Sequence, residues 1–556
     1  MGDEVILERL QLEVEALAEK ATRMEEAAKQ ARRDYQEMQS LLNSRRNDID
    51  SRLLRLPNEL ILAIINYMVD LDVHGHSLTS RAASWVVSQI SRRFRQLALS
   101  TPSLWAVIRV RTSWFQWCRS RDPSEMLNIW LERSMPLPIS CLIHLEGEER
   151  LAETENQILT ILMAHASRWL HLDIDFGTRV DLYCRLAASE NPLSQLQSVR
   201  LSLTVDEGDY DDFCDNMPGF NAGAFSDAPE LREASISVHM DLENDPYEDQ
   251  WVLLSMPWGR LRELVLLVDM VEEFFGIAPL LTHMTYCRLV SYEEGYYSAM
   301  EQLSYLTLGP RHSDPKEPIF LPSLQRLELT GGIGRMIRLL RHLYAPNLTE
   351  LLIDPECVSE GALEILAGAI AEFLRRSASS VQVLLAPIGL LQLRVFTEVD
   401  FAQLNELHVL VNNGRFSPHV EPIVQSISSL QSPSFFPGLQ TIHLISSHLR
   451  NRKVLAAIAD VVEKRRHELK RFGLDIDQES SSHGDKAQGI DTDLPSFKRL
   501  LGLERSGLEF LGRRVDGRWR PVHENTTYWD ARRYNRLMER FRFSWWVCNR
   551  FGKYWT

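Results

Sequence analysis

The chain has 556 residues, 44% hydrophobic and 25% charged, the composition of a folded chain and not of a disordered one. Its 61 basic and 76 acidic residues leave a formal net charge of −15, so nucleic acid is not an expected partner. No apolar run reaches the roughly 18 residues of a membrane span, and the start Met1-Gly2-Asp3-Glu4 lacks the basic and apolar regions of a secretory signal, so no membrane partner is expected. Seven cysteines without clustered spacing predict reduced thiols and a cytoplasmic or nuclear location.

The first element is a long helix. Leu7, Leu10, Val14, Leu17, Ala21, Met24, Ala28, Ala31, Tyr35, Met38 and Leu42 fall at alternating steps of three and four, the seam of a coiled coil, with Glu, Lys and Arg between them. No Pro or Gly interrupts the run after Gly2, and its residues favour helix. The spacing predicts a coiled-coil helix over residues 1–50. Its expected partner is a second copy in a homodimer, with the parallel form favoured. A single amphipathic helix lying on the protein's own body is the alternative, and the alanine-rich middle thins the seam.

Residues 51–110 carry the sharpest pattern. Leu54-Arg55-Leu56-Pro57-Asn58-Glu59-Leu60 sets a proline at a helix start with an acid behind it, as helix N-termini prefer. In the helix that follows, Leu60, Ile61, Ile64, Ile65 and Met68 are apolar, and Leu62, Ala63 and Tyr67 coat much of the remaining girth. Such a helix needs cover on more than one side. About sixty residues offer little core to supply it, so a partner protein is expected there. Trp85, Val86, Ile90, Phe94 and Leu97 lie at helical spacing and predict one helix over 82–98, bearing Arg92, Arg93 and Arg95. Ser100-Thr101-Pro102-Ser103-Leu104-Trp105 then turns into a short apolar strand over 106–110.

Leu56-Pro57-x-Glu59-Leu60-Ile61-x-x-Ile64, then Val87-Ser88-Gln89-Ile90-Ser91-Arg92-Arg93-Phe94-Arg95-Gln96-Leu97-Ala98, then Thr101-Pro102-Ser103-Leu104-Trp105, resembles an F-box. Ser91 stands where that family usually has Cys, and Phe94 where it usually has Trp. The polar link between the first two blocks, with His74-Gly75-His76, is long, and its histidines are expected to face solvent. The resemblance implies that Leu56, Pro57, Leu60, Ile61, Ile64, Phe94, Leu97, Leu104 and Trp105 form the F-box core and its face for the Skp adaptor, without saying which residue does which.

Next, Asn128-Ile129-Trp130-Leu131-Glu132-Arg133-Ser134 reads as a helix and Pro136-Leu137-Pro138-Ile139-Ser140-Cys141-Leu142-Ile143 as a strand. Beyond them the phrase L-x-x-L-x-L recurs in close variants, beginning at Leu196, Leu231, Leu261, Leu303, Leu324, Leu348, Leu404, Leu439 and Leu469. One strand per turn with alternate apolar side chains inward, stacked on its neighbours, predicts a degenerate leucine-rich repeat-like solenoid over 111–477. Helical stretches over 363–374 and 454–462 supply its outer layer. The alternative is an α/β domain with ordinary buried strands.

Three segments stand outside the repeat. Residues 205–250 hold 14 acidic residues against Arg232, including Asp206-Glu207-Gly208-Asp209-Tyr210-Asp211-Asp212, and are expected to loop out as an acidic insertion, either solvated or in contact with something basic. Residues 478–495 read as a flexible link, with Ser480-Ser481-Ser482-His483-Gly484-Asp485. Residues 496–556 are expected to cap the last repeat. From 497 onward they hold 14 basic and 6 acidic residues, interleaved with aromatics, a net of 14 − 6 = +8.

Chemistry is sparse. Cys141-Leu142-Ile143-His144 has metal-like spacing, but a strand points its Cys and His to opposite faces. Gly331-Gly332-Ile333-Gly334 lacks the Lys-Ser/Thr of a phosphate loop and reads as a turn. No catalytic residue, metal site or cofactor is expected, and the chain does not read as an enzyme.

The expected architecture is therefore α/β, with an N-terminal coiled-coil helix, a small all-α F-box, then the leucine-rich repeat-like solenoid. The resemblance implies a substrate-recognition subunit of an SCF (Skp–cullin–F-box) ubiquitin ligase. Such a subunit docks the Skp adaptor, and through it cullin, by the F-box, and holds an unidentified protein substrate on the repeats. The alternative function is a non-catalytic scaffold whose F-box-like segment is not used for ubiquitination.

Overall fold

The computed structural model describes residues 2–50, 56–71, 76–79, 82–113, 122–145, 149–206, 223–241, 255–267, 271–291, 315–355, 360–393, 401–411, 420–432, 436–445, 451–475, 490–491, 495–504, 508–511, 513–515 and 518–520. The chain divides into two compact units, Met1–Leu142 and Ile143–Thr556.

The first unit opens with the helix Gly2–Asp50. Local pairs one turn apart support it, Arg23 with Glu19 and Gln30 with Asp34 at 2.8 Å. Every side chain from 9 to 43 is exposed. The helix Asn58–Leu71 follows, its first turn closed by the Ile61 amide donating to the Pro57 carbonyl at 3.1 Å. The single helix expected over 82–98 is two, Ala83–Ile90 and Arg92–Leu99. Ser91 breaks them apart. It sits in an extended conformation and its hydroxyl accepts from the Phe94 amide at 3.2 Å, so a polar cap competes with helix continuation and wins. A 3-10 turn, Pro102–Trp105, leads into β1 (Val107–Arg111), and the helix Pro123–Arg133 precedes β2 (Ile139–His144).

In the second unit the strands are β3 (Trp169–Asp175), β4 (Ser198–Asp206), β5 (Glu233–Asp241), β6 (Glu263–Leu267), β7 (Tyr286–Ser291), β8 (Ile319–Phe320), β9 (Arg326–Gly331), β10 (Leu343–Tyr344), β11 (Glu350–Pro355), β12 (Val383–Pro387), β13 (Glu406–Leu410), β14 (Thr441–Ile445), β15 (Arg471–Asp475), β16 (Ile490–Asp491), β17 (Glu509–Leu511), β18 (Arg513–Val515) and β19 (Arg518–Arg520). The long sheet runs β3-β4-β5-β6-β7-β9-β11-β12-β13-β14-β15-β17, every neighbouring pair parallel. The fold is mixed α/β on a parallel sheet whose strands lie side by side in chain order.

Register explains the recurring phrase. Leu172, Val199, Ala234, Leu264, Cys287, Leu327, Leu351, Leu384, Leu407, Ile442 and Phe472 stand opposite one another in successive strands. All of them are buried. Two residues further on, Ile174, Leu201, Ile236, Leu266, Leu289, Leu329 and Ile353 make a second buried row, because side chains on one strand face repeat every two residues. The leucine phrase misses β3, β7 and β12. There the same positions hold Trp169, Leu172 and Ile174, then Met284, Cys287 and Leu289, then Val381, Leu384 and Ala386. The phrase beginning at Leu303 lies outside the described residues, and β7 pairs directly with β9.

Helices cover the inward rows. Glu360–Ser377 buries Leu366, Ala367, Ile370 and Phe373, and Arg452–Lys464 buries Val454, Leu455, Ile458 and Val462. Neighbouring helices are tied end to end by arginines. Arg376 donates to the carbonyls of Leu340 and Leu343, both at 2.7 Å, and Arg465 to that of Ser432 at 2.7 Å, satisfying oxygens that a helix C-terminus leaves over. At Gly331, φ is +112°, and a Cβ would come within 1.6 Å of the Ser291 carbonyl oxygen, so only glycine fits this strand-to-helix turn.

Two expectations about the loops change. The segment 205–250 is not one insertion, since Glu233–Asp241 is a strand paired along its length with β4, and Phe225, Ala228 and Leu231 are buried. Its most acidic stretch, with Asp209, Asp211 and Asp212, lies outside the described residues. The C-terminal segment begins as part of the body. The helix Pro495–Glu504 buries Phe497 and Leu500, and β17 extends the sheet beside β15. Strands β18 and β19 are antiparallel with Val515 opposite Arg518, and the Asp-Gly pair between them in the sequence is of the kind that hairpins favour. Most of the 478–495 link, and everything after 520, falls outside the described residues.

Candidate functional site

The expected site residues divide by burial. Ile61 (0% exposed), Phe94 (3%), Leu104 (2%) and Trp105 (0%) are core, whereas Leu60 (51%) and Ile64 (39%) face solvent. Leu56 and Leu97 are half-buried, and Pro57 is exposed. One helix thus has two apolar sides. Ile61 and Ile65, one turn apart, seal the inner side. Leu60, Ile64, Tyr67 and Met68 recur at i, i+4, i+7 and i+8 and form an exposed ridge.

The same unit holds a tryptophan cluster. Trp85, Trp105 and Trp130 meet edge to face, with centroids 5.3 Å apart for Trp85 and Trp105 and 4.8 Å for Trp105 and Trp130. The Arg133 guanidinium lies 4.5 Å from the ring centres of both Trp85 and Trp105. Trp105 Nε1 donates to the Ala98 carbonyl at 2.8 Å, and Ser84 Oγ to the Leu104 carbonyl at 2.8 Å, so the turn Pro102–Trp105 is tied to both helices before it. Arg93, which motif reading leaves without a role, donates to Asn58 Oδ1 and to the Leu56 carbonyl and fixes the chain entry to the ridge helix.

His76 does not face solvent as its polar surroundings in sequence suggest. It is 4% exposed. Its Nδ1 accepts from the Leu78 amide at 3.0 Å, and its Nε2 lies 2.8 Å from the Arg111 carbonyl, to which it donates as the neutral tautomer. Ser77 pairs beside it with Arg109 of β1, so the link is stitched to a strand edge. Burial pulls the His76 pKa down to about 4. His74 lies outside the described residues.

On the strand side opposite the phrase rows, the second unit carries charged and apolar groups, of which Arg288, Glu328, Leu352, Leu385, Leu410 and His408 are buried. Arg326 bonds Glu328 at 2.5 Å and Glu350 at 3.0 Å, and Arg288 lies 3.6 Å from Glu328. Although burial opposes its charge, the two carboxylates raise the Arg326 pKa above its ordinary value. Further along the same face Leu352, Leu385 and Leu410 form an apolar cluster with Ile445 against it, beside His408, whose Nε2 is 2.7 Å from Glu406. Toward the start of the sheet, Arg200 meets Asp173 at 3.2 Å and His144 meets Asp175 at 2.7 Å. Burial pushes the Asp173 carboxyl up against the pull of Arg200 and His144.

On β2, Cys141 is fully buried while His144 turns to the other side toward Asp175, as strand alternation requires. Among the described residues, no group of three His, Cys, Asp or Glu side chains is arranged to hold a metal ion, and no helix is long and apolar enough to cross a membrane. No protein-family model matches the chain, and no curated protein matches it.

Proposed function

We propose that this chain is a substrate-recognition subunit of an SCF-type ubiquitin ligase, acting in the cytoplasm or nucleus. The helix Asn58–Leu71 docks the Skp adaptor, and cullin through it, and the repeat-like body takes the protein substrate. One observation carries the reading. The ridge Leu60, Ile64, Tyr67 and Met68 is exposed on a helix whose other side is sealed into a core, and Leu60 and Ile64 belong to the block that resembles an F-box. A ridge of this kind is disfavoured on an isolated protein and fits a helix that a partner covers. The chain-order parallel strands, with their phrase residues in one ladder, support a leucine-rich repeat-like body. The conjugating chemistry belongs to a separate enzyme, so no catalytic residue is assigned.

Co-purification tests the reading. The full chain should capture the Skp adaptor and cullin together. Capture of neither would overturn the ligase reading and leave the competing one, a non-catalytic scaffold.

A further inference from the structure

The helix Gly2–Asp50 leaves its whole described seam in solvent. Leu10 is 54% exposed, Val14 65%, Leu17 64%, Met24 66%, Met38 67% and Leu42 63%. An amphipathic helix lying on its own protein would bury that stripe, and here none of it is buried. At 1.5 Å per residue the helix is roughly 70 Å long.

We propose that a second copy of this chain covers the stripe, as a parallel, in-register, two-stranded coiled coil. The seam is self-complementary. Its two alternating positions hold Val14, Ala21, Ala28, Tyr35 and Leu42 on one side and Leu10, Leu17, Met24, Ala31 and Met38 on the other, so each side chain meets its own copy in the partner. Charge selects the direction. In a parallel pair the flanking residue before each first position faces the one five residues on in the partner. That brings Lys20 to Glu25, twice by symmetry, with Glu13 facing Ala18, Ala27 facing Arg32 and Asp34 facing Gln39. No like charges meet. The two antiparallel alignments of greatest overlap set Glu25 against its own copy or Glu13 against Asp34, although the first also brings Lys20 to Asp34. Of these three arrangements, parallel pairing is the one without like-charge pairs. The inference stands independently of the adaptor reading. Where both hold, two adaptor ridges and two substrate faces are joined in one particle, and a substrate with two recognition segments gains avidity.

Light scattering on the full chain should give twice the chain mass at micromolar concentration. Leu10→Lys with Leu17→Lys should give the single mass, with the helical signal of the rest retained. Lys20→Glu should raise the dimer dissociation constant roughly tenfold, and Lys20→Glu combined with Glu25→Lys should restore it. Val14→Cys should form an intermolecular disulfide under mild oxidation, and the native chain should not. A wild-type chain of single mass, including one that associates only when a different protein is added, overturns the proposal. So does a dimer in which Val14→Cys fails to cross-link while the charge swap fails to rescue.

Discussion

Arg93 and Asn58 are joined by a fork, the Arg93 guanidinium donating to Asn58 Oδ1 through Nε at 3.1 Å and Nη2 at 2.6 Å. Nη2 also reaches the Leu56 carbonyl at 2.8 Å, so one side chain from the helix Arg92–Leu99 sets where the ridge helix begins. Arg93→Ala should cost about 1–2 kcal/mol locally, through hydrogen bonds to a charged donor. Amide hydrogen exchange in the first turns of Asn58–Leu71 would show it as faster opening. Arg93→Lys should recover only part, because an ammonium cannot span both acceptors as a planar fork does.

The two sides of the ridge helix should respond oppositely. Leu60→Lys with Ile64→Lys should abolish Skp capture while changing unfolding by no more than about 0.5 kcal/mol per site, the usual range for exposed positions. Ile61→Ala should destabilise the unit by about 2–5 kcal/mol, the range for emptying a sealed core site. Retained capture in the double lysine variant would remove the ridge from the adaptor reading.

Burial of His76 should make the first unit sensitive to acid. Its folded pKa of about 4 lies below the unfolded value near 6.5, so the unfolded chain binds the proton first. Stability contributed by the neutral ring is intact above pH 6.5, falls as pH drops from 6.5 toward 4, and levels off below. The window amounts to about 3 kcal/mol at most. Denaturant unfolding between pH 7 and 4 should show that slope, and His76→Gln should flatten it at some cost in stability at neutral pH.

Two glycines three residues apart should behave differently. Gly331→Ala forces a Cβ against the Ser291 backbone at positive φ and should cost several kcal/mol, on the scale of a strained backbone site with a steric clash. At Gly334, inside the helix Ile333–His342, an added Cβ meets nothing within 4 Å. Gly334→Ala should therefore stabilise by up to about 1 kcal/mol. Thermal unfolding of the two variants side by side measures both.

Much of this molecule is legible in local spacing. The seam from Leu10 to Leu42 and the rows through Leu327 and Leu329 follow from periods of 3.5 and 2, because a side chain's direction is set by its own backbone. Strands β3, β7 and β12 escape such reading, since Trp169, Cys287 and Val381 fill positions where leucine was sought, and the core asks for volume and apolarity, not for one residue type. The break at Ser91 escapes it as well, because apolar spacing continues across a cap.

Burial is a property of neighbours, and only the tertiary structure decides it. Local spacing puts Leu60, Ile61, Ile64 and Ile65 on one over-apolar helix. Which pair is sealed and which is offered depended on where the helix Ala83–Ile90, distant along the chain, comes to rest against it. His76 makes the same point with opposite sign. A polar link predicts exposure, yet the amide of Leu78 and the carbonyl of Arg111 satisfy both ring nitrogens, and a satisfied polar ring can be buried where an unsatisfied one cannot.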